Sequence, residues 1–179
     1  MLGAHHTVYG PRMTTSSPPR RVALIADAGF FVGPALARLL AHRGHDLALA
    51  HPEPGLVAEL EAAGATVEVI DTSRDLADPE VAPALVAGTL ARFGRIDAAT
   101  AFSGQIVIGR FTDSTVDDLH RVMRGCIEAP YQFLRAVVPA MVEAGSGQVL
   151  LLTSAAGARP TPGAPLYSSA RAAANMLVK

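Results

Sequence analysis

Three side chains in the last third of the chain stand at a spacing that can do chemistry. Ser154, Tyr167 and Arg171 form the pattern S-x12-Y-x3-R. Tyr167 and Arg171 are four residues apart, so on a helix they share one face. Ser154 follows the apolar run Val149 to Leu152, which reads as a strand end. A strand end facing a helix across a short Pro/Gly loop is where α/β sheets build their sites. A free phenol, with a pKa of about 10, is a poor base near neutrality. A neighbouring cation favours the phenolate by roughly 1–3 pKa units, and this is the role the spacing gives Arg171 toward Tyr167. Arginine can play it without losing its own proton. Tyr167 then takes a proton from a substrate hydroxyl, or returns one, while Ser154 holds the same oxygen. Each of the three alone also reads as an ordinary surface or half-buried residue; the joint spacing carries the catalytic reading.

These residues need a scaffold, and the sequence supplies an alternation of strands and helices. Arg21 to Ala26 is a buried strand by composition. The turn D-A-G-F-F-V-G follows, then a helix over Pro34 to Arg43. Strands are expected over Asp46 to Ala50, Thr66 to Ile70, Ile96 to Ala101 and Gln148 to Leu152. Helices are expected over Leu56 to Ala63, from Asp78-Pro79 to Phe93, and from Leu166 to the end. Ser114-x-x-Asp117 reads as a capping box opening a long helical stretch to about Glu143, which Pro130 and Pro139 should kink or break. The alternation predicts a Rossmann-like, doubly wound parallel sheet in three α/β/α layers.

Composition bounds the rest. The 179 residues form one predicted domain over 21–179, preceded by a disordered tail over 1–20. Met13 in that tail is a candidate start, and a metal site at His5 and His6 is not expected. The formal net charge of −1 argues against a nucleic-acid partner. No apolar run approaches a membrane span of about 20 residues, and the N-terminus lacks a signal peptide's apolar core. A single cysteine, Cys126, excludes an internal disulfide and fits a reducing, cytoplasmic setting.

The strand–turn–helix opening, R-F-G-R-I-D at Arg92 to Asp97, D-L-A-D at Asp75 to Asp78 and the Ser154/Tyr167 pair together resemble the short-chain dehydrogenase/reductase superfamily. That resemblance implies T-G-x-x-x-G-x-G in the first turn, where backbone meets the pyrophosphate of NAD(P). Here Asp27 stands at the first glycine, Phe31 at the second, and only Gly33 remains. Glycines at such a turn let the backbone approach a pyrophosphate; a phenyl ring and a carboxylate oppose it. The superfamily's N-N-A-G reads A-F-S-G at Ala101 to Gly104, its active-site Asn falls at Cys126, and its Tyr-x3-Lys is Tyr167-x3-Arg171. These departures resemble the halohydrin dehalogenases, a cofactor-free branch with T-x4-(F/Y)-x-G in the first turn and S-x12-Y-x3-R later. The chain matches at Phe31, Gly33 and all three catalytic positions, with Ala26 in place of Thr.

This resemblance implies Ser154, Tyr167 and Arg171 as catalytic residues and no cofactor. It also implies a halide pocket at Phe31 and Gly33, and a haloalcohol or epoxide plus a small anion as partners. Phe102, Ala156, Thr161 and Ala164 are read as walls of a roomy substrate pocket for bulky or cyclic compounds; the three small ones equally suit a tight proline-rich turn. The resemblance further implies a homotetramer through the long helix and the last helix. Relatives of this type continue past this point, so the chain is expected to be truncated. Asp75, an adenine contact in dehydrogenases, is read as solvated and Asp78 as a helix N-cap; His51 is read as a surface residue. Two other readings stay open: an NAD(P)-dependent oxidoreductase with a degenerate turn, which Asp75 favours, and a non-catalytic Rossmann interaction domain.

Overall fold

The structure, a computed structural model, describes residues 19–102 and 104–179. The expected tail falls almost wholly outside the described residues, as do His5, His6 and Met13. The described chain forms five parallel strands in the order β3-β2-β1-β4-β5. They are β1 (Arg21–Ile25), β2 (His45–Leu49), β3 (Val67–Val69), β4 (Ala98–Phe102) and β5 (Gln148–Leu152). Six helices connect or follow them: α1 (Gly33–His42), α2 (Leu56–Ala62), α3 (Val81–Phe93), α4 (Val116–Met123), α5 (Ala129–Glu143) and α6 (Pro165–Leu177). The doubly wound sheet expected from the alternation is therefore present.

Side-chain alternation along β1 and β2 divides the core between the two faces. Ala23, Ile25, Leu47 and Leu49 pack with Ala37, Ala41, Leu56 and Leu60 from α1 and α2. Leu24, Ala26, Ala48 and Ala50 pack on the other face with Leu85 of α3 and Phe133, Val137 and Met141 of α5. Burying each large apolar side chain contributes about 1.5–3 kcal/mol, so this two-sided core fixes the strand ends that carry the site.

Several local expectations are corrected. The capping box is one residue later: Asp118 N–H donates to Thr115 Oγ1 at 3.1 Å and Thr115 N–H donates to Asp118 at 3.0 Å. Asp78 caps no helix directly; it accepts from Glu80 N–H at 3.0 Å in a turn, and α3 begins at Val81. The long helical stretch is two helices joined by a π-turn at Arg124–Glu128, with Pro130 in the first turn of α5. A proline there has no N–H to leave unpaired. α5 runs on through Pro139, which lies on its exposed side, as does Arg135 four residues earlier, whose carbonyl loses its helical partner.

Asp75 is not merely solvated. It accepts from Arg124 at 2.6 Å and from Ala77 N–H at 3.0 Å, and the Arg124 guanidinium holds its carboxyl below the usual carboxylate range. His51 is half-buried with a positive φ of 51°, and its Nε2 has no hydrogen-bond partner.

Candidate active site

β5 ends at Leu152, and Ser154 caps the short 3-10 turn Ala155–Gly157. The Ser154 hydroxyl oxygen accepts from Ala156 N–H at 3.2 Å. That bond uses a lone pair and leaves the hydroxyl proton as a donor for another oxygen. Pro165 opens α6 in its first turn, and Tyr167 and Arg171 sit one helical turn apart. The Arg171 guanidinium carbon lies 5.1 Å from the centre of the Tyr167 ring, within cation–π range.

Arg171 is 6% exposed, and Gly104 explains how it fits. An added Cβ at Gly104 would lie 2.1 Å from Arg171 Nη2 and 3.1 Å from Cys126 Sγ. Only glycine leaves room for the guanidinium beneath the loop after β4, and its φ of +132° favours glycine as well. Cys126 sits in the π-turn, a geometry often found at functional sites. Burial pushes its thiol up, partly offset by the charge of Arg171.

The first turn faces this cluster. Phe31 has a φ of +53°, the left-handed region that the second glycine of the dinucleotide motif would occupy without strain. A bulky side chain held there costs on the order of 1–3 kcal/mol and persists only where surroundings over-determine it. Its ring meets Phe102 edge-on at 6.2 Å, and Phe30 stands 6.4 Å from both rings. A cleft of about 320 Å³ is lined by Phe30, Phe31, Phe102, Ser154, Tyr167 and Arg171.

The structure thus brings together five of the residues predicted for the site: Phe31, Phe102, Ser154, Tyr167 and Arg171. It does not bring in the other four. Gly33 is buried under the turn, where an added Cβ would stand 2.1 Å from Asp27 O, so it serves close packing of α1 on the turn. Ala156 is buried and lines a separate depression with Pro160 and Ser168. Thr161 is exposed, its N–H donating to Ser168 Oγ at 3.0 Å. Ala164 is 1% exposed at the N-cap of α6. None of the three lines the cleft: Ala156 belongs to the 3-10 turn, and Thr161 and Ala164 to the proline-rich turn before α6. Phe30 and Gly104 were missed; Phe30 adjoins the departed glycine, and Gly104 closes the A-F-S-G segment.

A five-stranded parallel Rossmann sheet with a serine at a strand end, and a tyrosine and a basic residue one turn apart on the next helix, is the architecture of the dehydrogenase-type α/β fold. The chain belongs to the short chain dehydrogenase family, which it matches over residues 21–179.

It is 30% identical over 167 residues to an uncharacterised NAD-dependent oxidoreductase of Mycobacterium tuberculosis, covering 84% of this chain and 61% of that protein. It is 35% identical over 134 residues to a (2S)-[(R)-hydroxy(phenyl)methyl]succinyl-CoA dehydrogenase subunit of Thauera aromatica, covering 73% and 53%. Among solved structures, a 3-oxoacyl-[acyl-carrier protein] reductase of Brucella melitensis in complex with NAD superposes with a TM-score of 0.79. That pair shares 26% identity and covers 90% of this chain and 66% of the other. Levodione reductase superposes with a TM-score of 0.77 at 28% identity, covering 88% and 63%. The chain spans between about half and two thirds of the length of these relatives.

NAD(P) is the cofactor such relatives imply, and the residues at its place do not fit it. The Gly29 N–H, in the turn that would meet a pyrophosphate, donates to Asp27 Oδ1 at 3.1 Å. The other Asp27 oxygen pairs with Arg74 at 3.5 Å. Phe30 and Phe31 bridge from the first turn to Phe102 at the end of β4, across the switch point where a dinucleotide lies. Asp75 is engaged by Arg124. Among the described residues no cluster of His, Cys, Asp and Glu could hold a metal ion, and no helix is long and apolar enough to cross a membrane.

Proposed function

We propose that the chain is a cofactor-independent halohydrin dehalogenase. The observation that carries this reading is Phe31, a bulky aromatic in left-handed backbone at the second glycine position of the dinucleotide turn, with its ring on the cleft of Ser154, Tyr167 and Arg171. Arg171 in place of lysine supports it.

Tyr167, as phenolate, takes the hydroxyl proton of a vicinal haloalcohol. The Ser154 O–H donates to the same oxygen, and the Arg171 cation offsets the phenolate charge. The alkoxide forms a new C–O bond to the neighbouring carbon from behind, the carbon–halogen bond breaks, and halide leaves with the electron pair. Both reacting atoms belong to one molecule, so proximity is supplied at the outset. In reverse, Tyr167 protonates an epoxide oxygen while a small anion attacks carbon. Phe31 forms one apolar wall for the halide. A homotetramer is part of the proposal, supported by exposed apolar residues along α4 and α5, among them Val116, Leu119, Tyr131 and Val142.

The names of the relatives favour a second reading, an NAD(P)-dependent oxidoreductase using the same Ser154 and Tyr167, and they favour it more directly than they do dehalogenation. Halide release from a simple vicinal bromoalcohol at mildly alkaline pH, without nucleotide, separates the two. Release that disappears in Tyr167→Phe supports the dehalogenase. No release, together with saturable NADH binding, replaces it with the oxidoreductase.

A further inference from the structure

α6 carries a third polar side chain in line with Tyr167 and Arg171. Asn175 is four residues beyond Arg171, so the three side chains at i, i+4 and i+8 run along one face of the helix. Tyr167 and Arg171 reach the cleft. Asn175 reaches the segment that carries Ser154. The Thr153 hydroxyl donates to Asn175 Oδ1 at 2.6 Å. An added Cβ at Gly157 would lie 2.6 Å from Asn175 Nδ2 and 2.7 Å from the Arg171 carbonyl oxygen. Gly157 therefore seats the end of the 3-10 turn directly on the helix. One amide holds the residue before Ser154 and abuts the residue that closes its turn.

We propose that Asn175 is a positioning residue that sets the distance between Ser154 and the Tyr167/Arg171 pair. This rests on the reading of those three as one catalytic set. Ser154 and Tyr167 come from different elements, β5 and α6, and must meet one substrate oxygen. The Thr153–Asn175 bond ties the strand end, one residue before Ser154, to the helix face that carries Tyr167 and Arg171. A misplacement of about 1 Å in such a pair costs up to roughly 100-fold in turnover.

Four variants of the full chain test this: Asn175→Ala, Thr153→Val, the two combined, and Asn175→Asp. Two readouts are taken. One is the kcat and KM for halide release from the bromoalcohol; the other is amide hydrogen exchange over Ala155 to Ala158, whose 3-10 turn Ser154 caps. Asn175→Ala and Thr153→Val are expected to lower kcat about 10- to 100-fold with KM changed less than about threefold. Both should speed exchange in the turn, and the double variant should be no worse than either single one. Asn175→Asp keeps an acceptor for Thr153 and is expected to restore most of kcat. Unchanged exchange in the turn, or a kcat loss that Asn175→Asp leaves in place, would overturn the proposal. If the unaltered chain releases no halide but the variants still speed exchange, the dehalogenase reading fails and the positioning role stands.

Discussion

Replacing Gly104 with alanine is a sharp test of how the cation is held. The added Cβ would stand 2.1 Å from Arg171 Nη2 and 2.7 Å from its guanidinium carbon. A carbon–nitrogen contact needs about 3.5 Å, so the guanidinium must retreat by more than about 1 Å. It has little room, because Arg171 is 6% exposed and Cys126 Sγ stands 3.1 Å from the same added atom. Overpacking costs about 1–3 kcal/mol, and placing alanine at a φ of +132° adds about 1–3 kcal/mol. The sum, about 2–6 kcal/mol, is a large share of the 5–15 kcal/mol typical of a domain. Displacing the cation by about 1 Å from Tyr167 should also lower turnover on the order of 100-fold. Gly94→Ala is the control, since its φ of +70° is strained for alanine but nothing lies within 4 Å of the added atom. It should lose about 1 kcal/mol in urea unfolding and keep its halide-release rate. If Gly104→Ala matched Gly94→Ala in both measurements, the packing of Arg171 under the β4 loop would be refuted.

Other consequences can be measured directly. Asp97 is 7% exposed; burial opposes its charge. Hydrogen bonds from Arg95 and Val22 N–H, with the charges of Arg95 and Arg21, outweigh that and hold its pKa below the usual value. A depressed carboxylate stabilises the fold above its unfolded pKa of about 3.9 and loses that contribution as pH falls through the lower folded value. Asp97→Ala should therefore cost about 1–3 kcal/mol at pH 7, with the gap to the unaltered chain shrinking in urea titrations below about pH 4. Thr115→Ala removes the capping box of α4 and should cost about 1 kcal/mol; a midpoint unchanged in urea would contradict the observed cap. Thr161→Trp tests the pocket walls. Because Thr161 is exposed and off the cleft, turnover of small and bulky substrates should change equally, whereas a selective loss on bulky ones would restore Thr161 as a wall.

The sheet was legible in the sequence because parallel strands read as short apolar runs; Val22 to Ile25 is such a run and is buried, and Val149 to Leu152 is another, although β5 is only partly buried and Leu150 is exposed. The spacing of Tyr167 and Arg171 was legible because helical period alone puts residues four apart on one face. The halted glycine pattern at Asp27 and Phe31 was visible for the same local reason. Capping at Thr115 rather than Ser114 was not, because adjacent hydroxyls offer similar N-caps and only packing selects the register.

What the tertiary structure alone decided is which side chains meet across elements. Phe30, Phe31 and Phe102 form one cluster because β1 and β4 are neighbours in the sheet. Gly104 makes room for Arg171, and Asn175 grips Thr153, through contacts more than 20 residues apart in the chain. Thr161 and Ala164 lie near Ser154 in sequence, yet the turn carries them away from the cleft. Local sequence carries periodicity and backbone preference; the distance between side chains on different elements depends on how the layers pack, which no single stretch encodes.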